Sequence, residues 1–519
     1  MSAESAMLEN KSTKDVEDQN NNNDSDLFIP NGEEKMSERK NSISSDGDTI
    51  TSNESTLSFS FASFLLIIII NAANFVNGLY MAVPGPTLLF LAESVSSDVG
   101  QVSTILAGRS AGNLLGAFAA SLISKNSGRY FNATMKLGLS FIVAGALTLS
   151  IPFVSELWIL IAVLSVGGFL FGFSNTGFLA IQLDIWGEKK SRPLMQLYQG
   201  IFSMGAMMAP LIASPFLGMA AEGSYKKPNT PSCSKDNATD ALSNLTINGQ
   251  NGTVYESQTV IDINPVTWIY IIIGALSLLI AIIMIILSLG GIEDGARVGE
   301  KVSSESRPEE PLSRVAVVLL CVICFYAFQV GSVNVFASYI YSVSYCSKLQ
   351  FSVSTASSLN SLYWGLFIVG RLIAFVAASK LRPSTLITGC IFTLLTSTAI
   401  MSALGEEHEF VAWATTGMWA LAISPLFGSG VSWVSQITNV SGRYAVIFEI
   451  GAAIGAVGAF PIAGILFDIN PYSVIYFVSG LIGLLGISYI GMLITGRQHL
   501  QRRSAREAAY SEAMLEKHD

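Results

Sequence analysis

The sequence predicts an all-α membrane protein with twelve transmembrane helices arranged as two pseudo-symmetric six-helix bundles. Three observations predict it. Half of the 519 residues are hydrophobic, 13% are charged and the mean hydropathy is +0.50, which is too apolar for a chain that folds in water. Apolar stretches of about twenty residues, the length that crosses a hydrocarbon layer of about 30 Å, recur along the chain. A polar segment at 290–314 divides them into two sets of six, and short echoes pair a span with the one six places later. Ala107-Gly108-Arg109 in the second is echoed by Val369-Gly370-Arg371 in the eighth, and Gly205-Ala206 with Pro210 in the fifth by Gly455-Ala456 with Pro461 in the eleventh.

Residues 1–62 are rich in Ser, Asn, Asp, Glu and Lys and include the run Asn20–Asn23. They hold too little apolar surface to offset the entropy of ordering, so they read as a disordered cytosolic tail. No basic stretch followed by a short apolar core opens the chain, so the first span is expected to direct insertion itself. That span, 63–91, is apolar from Phe64 to Ile70, then carries Asn71, Asn74 and Asn77 before Gly78, and breaks at Pro84-Gly85-Pro86. At helical spacing its amides gather on one side. Two readings stay open: the amides line a path for a solute, or they bond neighbouring helices.

The N-terminal bundle, 63–289, continues with spans at 102–124, 134–153, 157–183, 194–221 and 266–289. After the linker at 290–314 the C-terminal bundle, 315–496, has spans at 315–345, 353–379, 384–404, 410–436, 444–467 and 473–495. A basic cytosolic tail, 497–519, closes the chain. Gly112-xxx-Gly116, Gly168-xxx-Gly172 and Gly451-xxx-Gly455 are small-residue pairs through which membrane helices approach closely.

Lys and Arg set the orientation. Lys125 and Arg129, Lys189, Lys190 and Arg192, Lys380 and Arg382, Arg443, and the group Arg497, Arg502 and Arg503 all fall in alternate connections, which are expected to be cytoplasmic. The other short connections carry acids, with Lys348 as the contrary charge. Both termini are then inside and the expected location is the plasma membrane. The long connection 222–265 falls outside and holds acceptors for N-glycosylation at Asn237, Asn244 and Asn251. The same pattern occurs at Asn10, Asn23, Asn53, Asn132 and Asn439 on the predicted inner side, so the motif alone decides nothing. Cys233 and Cys346 lie in oxidising space by this topology, and a disulfide between them stays open. Cys321-Val-Ile-Cys324 lies inside an apolar helix and reads as packing.

Several function classes drop out. The net charge of −9 gathers in the first tail and the loops, and no basic face for nucleic acid is present. Three histidines apart from one another and from Cys leave little for metal chemistry. No nucleophile elbow, zinc signature or phosphate loop points to an enzyme.

Two halves, a long exterior loop in the first half and a central cytosolic link resemble the major facilitator superfamily. Tyr363-Trp364-Gly365-Leu366-Phe367-Ile368-Val369-Gly370-Arg371, Gly85-Pro86-Thr87-Leu88-Leu89, Trp186-Gly187 and Phe202-Ser203-Met204-Gly205-Ala206 with Pro210 are similar to the branch of sodium-dependent glucose transporters and fucose permeases, over 63–495. The resemblance implies alternating access about a midplane site lined by the first, fourth, seventh and tenth spans. The chain departs from the branch at three acidic positions, where it carries Phe90, Asn175 and Gln329. Lys125-Asn126-Ser127-Gly128-Arg129 keeps the Gly-Arg of the superfamily's cytoplasmic signature and lacks its Asp.

An amide both donates and accepts hydrogen bonds without titrating, so it can hold a sugar hydroxyl but carries no proton. The expected solute contacts are Asn74, Asn77, Asn175, Gln182, Gln329 and Asn334, with Trp419, Trp433 or Tyr326 offering flat faces. Arg109, Arg371 and Glu449, with Asp184 at an inner helix end, are the expected gating or coupling residues, and Arg371 and Glu449 are expected to pair. The expectation is a carrier of a neutral polar solute, a hexose first, in the lipid bilayer, with no cofactor and sodium as an open coupling ion. A carrier of another small solute and a sugar sensor that moves nothing are the alternatives. Nothing in the residues sets an oligomeric state, and a monomer suffices.

Overall fold

Lipid offers no partner to a backbone N–H or C=O, so a chain this apolar must satisfy them within helices. In the computed structural model every regular element among the described residues is helical. The structure describes residues 48–122, 132–222, 264–291, 312–378, 380–437 and 442–515. The chain divides into Met1–Glu54, described only from Asp48, and Ser55–Asp519, which holds every feature discussed below. Asn237, Asn244, Asn251 and Cys233, most of the 290–314 linker and the side chain of Asp184 lie outside the described residues.

The elements are α1 (Asp48–Ala82), α2 (Pro84–Ser94), α3 (Val99–Leu122), α4 (Ala133–Ser150), α5 (Leu157–Glu222), α6 (Thr267–Leu289), α7 (Leu312–Cys346), α8 (Val353–Ala378), α9 (Pro383–Leu404), α10 (Glu409–Ile423), α11 (Leu426–Ile437), α12 (Gly442–Ile469) and α13 (Ser473–Leu515). They make twelve crossings, because α1 with α2 and α10 with α11 each form one interrupted span and α5 holds two. Eleven described segments are long and apolar enough to cross a membrane. The remaining crossing, α3, is the most polar, with Gln101, Ser103, Thr104, Arg109, Ser110 and Asn113 along it.

The 66 residues of α5 form one helical run. The Tyr198 hydroxyl nevertheless donates to Asn175 Oδ1 at 2.7 Å. Twenty-three residues of straight helix would hold those groups about 35 Å apart, so the run doubles back between them and supplies the fourth and fifth spans.

Both interruptions have a chemical cause. Pro84 and Pro86 have no N–H to give the carbonyls one turn earlier, and α1 yields to α2 at Val83. Pro425 does the same between α10 and α11. Asn132, one of the sequon matches, is a buried helix cap: its Oδ1 accepts from Met135 N at 2.9 Å and from Ser288 Oγ at 2.6 Å. Lys348, the contrary charge, pairs with Glu406 at 3.6 Å. Cys346 is disulfide-bonded, while Cys321, Cys324 and Cys390 are free.

Within the first half, α3 packs along α5 through two small-residue pairs facing each other. A Cβ at Gly112 or Gly116 would overlap the carbonyl of Ser165 or Phe169, and one at Gly168 or Gly172 that of Arg109 or Asn113. In the second half α12 and α13 pack on α7, and α9 on α10. Between halves, α3 packs on α12 and α5 on α8, with α2 reaching across to α7. The second span thus meets the eleventh and the fifth meets the eighth, and a shift of six exchanges these two seams. That exchange is what two equivalent bundles about a pseudo-two-fold require.

Candidate functional site

A hollow of about 50 Å³ lies between the halves, above the about 10–15 Å³ that one water needs. The first half contributes Tyr80 and Met81 from α1, Arg109, Ser110, Asn113 and Leu114 from α3, and Phe171 from α5. Val330 and Asn334 of α7 and Glu449, Ala452, Ala453 and Ala456 of α12 complete it. The three alanines keep that wall thin. The hollow therefore belongs to both bundles.

Arg109 organises its floor. The side chain is 3% exposed, and Nη1 donates to the Met81 carbonyl at 3.1 Å. Met81 lies beside the proline interruption, so the guanidinium ties α3 to the end of α1. Glu449, from the other half, lines the same hollow with an exposed side chain. Ser110, Asn113 and Asn334 thus share the walls with one charge of each sign.

The ion pair expected between Arg371 and Glu449 is not formed. Arg371 Nη1 donates instead to Gln199 Oε1 across the second seam at 2.9 Å, and its guanidinium lies 4.8 Å from the centre of the Phe367 ring. An amide oxygen and a ring face meet the needs of the cation without a carboxylate.

Of the expected solute contacts, Asn334 lines the hollow. Asn77 lines a smaller one, of about 10 Å³, inside the first half, where Nδ2 donates to Ser174 Oγ at 3.4 Å. Tyr80 and Phe171 border both cavities, with ring centroids 6.5 Å apart, so these two rings are the partition between them. Asn74 serves packing: it is fully buried, and Nδ2 donates to the Tyr198 carbonyl at 2.5 Å. Asn71 turns back on its own helix, donating to Ile67 O at 2.8 Å. Asn175 is held by Tyr198. Gln182 and Gln329 are buried, each with Oε1 lacking a partner. Trp433 packs over Gly496 of α13. Trp419 is fully buried and stacks on Phe336 at 4.3 Å, while Tyr326 donates to Phe427 O at 2.9 Å.

Sequence reasoning missed two groups. Ser110 and Asn113 follow Arg109 on α3, and Asn113, four residues on, shares its helix face, a signal that was present. In the second half, buried polar atoms without a hydrogen-bond partner gather on three spans: Ser342 of α7, Ser357, Asn360, Ser361, Tyr363 and Trp364 of α8, and Thr416 and Trp419 of α10. Such atoms are rare in a folded protein, because each forfeits its bonds to water. Among them, Tyr363, Trp364 and Trp419 form a knot of rings in which Tyr363 lies 5.2 Å from Trp364 and 5.7 Å from Trp419.

Residues 70–456 match the family model of the Major Facilitator Superfamily. Sodium-dependent glucose transporter 1A of Mus musculus is 29% identical over 390 residues, 75% of this chain and 86% of the relative. Sodium-dependent glucose transporter 1 of Homo sapiens is 28% identical over 395 residues, 75% and 71%. Among solved structures, the inward open conformation of the xylose transporter XylE from E. coli superposes with a TM-score of 0.58 at 12% identity, covering 83% of this chain and 95% of that one. The nucleoside transporter NupG gives 0.56 at 11%, covering 82% and 99%. With twelve crossings, two seams related by a shift of six and a family match over most of its length, the chain belongs to the major facilitator superfamily.

Proposed function

We propose that this protein carries a neutral, hydroxyl-rich solute, a hexose first, by alternating access through the hollow between its halves. One observation carries the reading: the hollow is lined by the uncharged hydrogen-bonding groups of Ser110, Asn113 and Asn334 beside the rings of Tyr80 and Phe171. A sugar supplies both complements, hydroxyls for the polar atoms and C–H faces for the rings. The names of the two glucose-transporter relatives support the same choice. Glu449 is the carboxylate on the hollow wall, and it is where a sodium ion or a proton would be taken up. We place the termini in the cytoplasm and the chain in the plasma membrane, on the alternation of Lys and Arg among the connections.

Uptake of radiolabelled D-glucose into proteoliposomes, with and without an inward sodium gradient, tests the proposal. Counter-flow of glucose is expected. Stimulation by sodium that disappears in Glu449→Gln would assign the coupling to that residue. Saturable glucose binding with no flux would instead mark a sensor, and neither binding nor flux would remove the hexose from consideration.

A further inference from the structure

The second span begins with a helix N-terminus that the opposite half caps. At the start of α3, the Asp98 carbonyl accepts from Gln101 N and Val102 N, both at 3.1 Å, while its side chain is exposed. The N–H of Gly100 is one of the first-turn donors that no carbonyl of its own helix reaches. It donates to Asp468 Oδ2 at 2.7 Å. Asp468 ends α12, so this cap comes from across the seam and exists only while the halves touch there.

A second observation lies one turn along. Gly464 of α12 faces Ser103 of α3 so closely that a Cβ would overlap Ser103 Oγ and come within 2.9 Å of Gly100 Cα. Beside it α2 packs on α7, where a Cβ at Gly85 would stand 3.1 Å from Ala337 O and 3.2 Å from Asn360 Nδ2. These contacts are at the membrane face that carries the 222–264 connection. Toward the other face, α11, the second half of the interrupted tenth span, packs on α7, α9 and α13 of its own half. The inter-half contacts near Asp468 thus close one face.

We propose that Asp468 is the latch of that face: its side-chain oxygen, by capping α3 at Gly100, stabilises the form closed there, and rocking to the opposite form requires the bond to break. The proposal concerns closure alone and holds whichever solute is carried, so its failure leaves the hexose reading standing, and the reverse.

The test is sided alkylation of a cysteine introduced at Ala453, on the hollow wall, by a membrane-impermeant reagent in proteoliposomes, with the parent chain as background. Labelling from the face that carries the termini is the positive control. From the 222–264 face, Asp468→Ala is expected to raise the labelling rate about five-fold, the effect of losing a cap of ordinary strength. Asp468→Asn is expected to label at the parent rate, because an amide oxygen caps as well as a carboxylate. An unchanged rate in Asp468→Ala, or a rate in Asp468→Asn equal to that of Asp468→Ala, would overturn the latch.

Discussion

Replacing Arg109 by Leu is expected to lower the maximal uptake rate about a hundred-fold while leaving the amount of folded protein near that of the parent. Leucine suits a membrane helix, so insertion is not the difficulty. Two losses explain the size of the effect. The Met81 carbonyl at the proline interruption loses the donor that holds it at 3.1 Å. Glu449 then faces the hollow with no charge of opposite sign on the other wall. A buried acceptor stripped of a charged donor costs up to about 3 kcal/mol, and each 1.4 kcal/mol is about ten-fold in rate. Arg109→Lys keeps the charge but not the planar fork, and should recover part of the rate. Uptake by Arg109→Leu within two- or three-fold of the parent would show that the guanidinium is only packed there.

The largest effect on stability is expected from Gly168→Val. The added side chain would overlap the carbonyl of Arg109, and backbone cannot rotate out of the way as a side chain tip can. The second and fourth spans must then separate, which strips packing from both and shifts the residue that holds the hollow's floor. Overpacking of this kind costs about 1–3 kcal/mol or more, so in a chain of this size the melting temperature in detergent should fall by about 1–3 °C or more. Gly200→Ala is the control. Nothing lies within 4 Å of its would-be Cβ, and alanine favours helix, so its melting temperature should match or exceed that of the parent.

The fold was legible because lipid leaves a chain few choices: once a stretch is long and apolar enough, helix follows, and the ends of most spans lie within a few residues of where the pattern puts them. The side-chain partners were less so. Helical spacing tells that Asn71, Asn74 and Asn77 share a side, but not whether that side meets water or the carbonyls of Ile67 and Tyr198. Pairing Arg371 with Glu449 assumed that a buried cation seeks the nearest acid in the pattern, whereas Gln199 and Phe367 satisfy it from other elements. Trp419 reads as a flat face for a solute, yet it is sealed in a stack with Phe336. Asn360 gave no warning in the sequence, since its isolation is a fact of packing.

The central claim is that solute passes between the halves through the hollow bounded by α1, α3, α5, α7 and α12. Protection by D-glucose of the cysteine at Ala453 against alkylation tests it directly, because that position touches the hollow and contributes no polar group to it. The account predicts that glucose slows the reaction, half-maximally at the concentration that half-saturates uptake. An alkylation rate that saturating glucose leaves unchanged, in a carrier that takes glucose up, would place the path elsewhere.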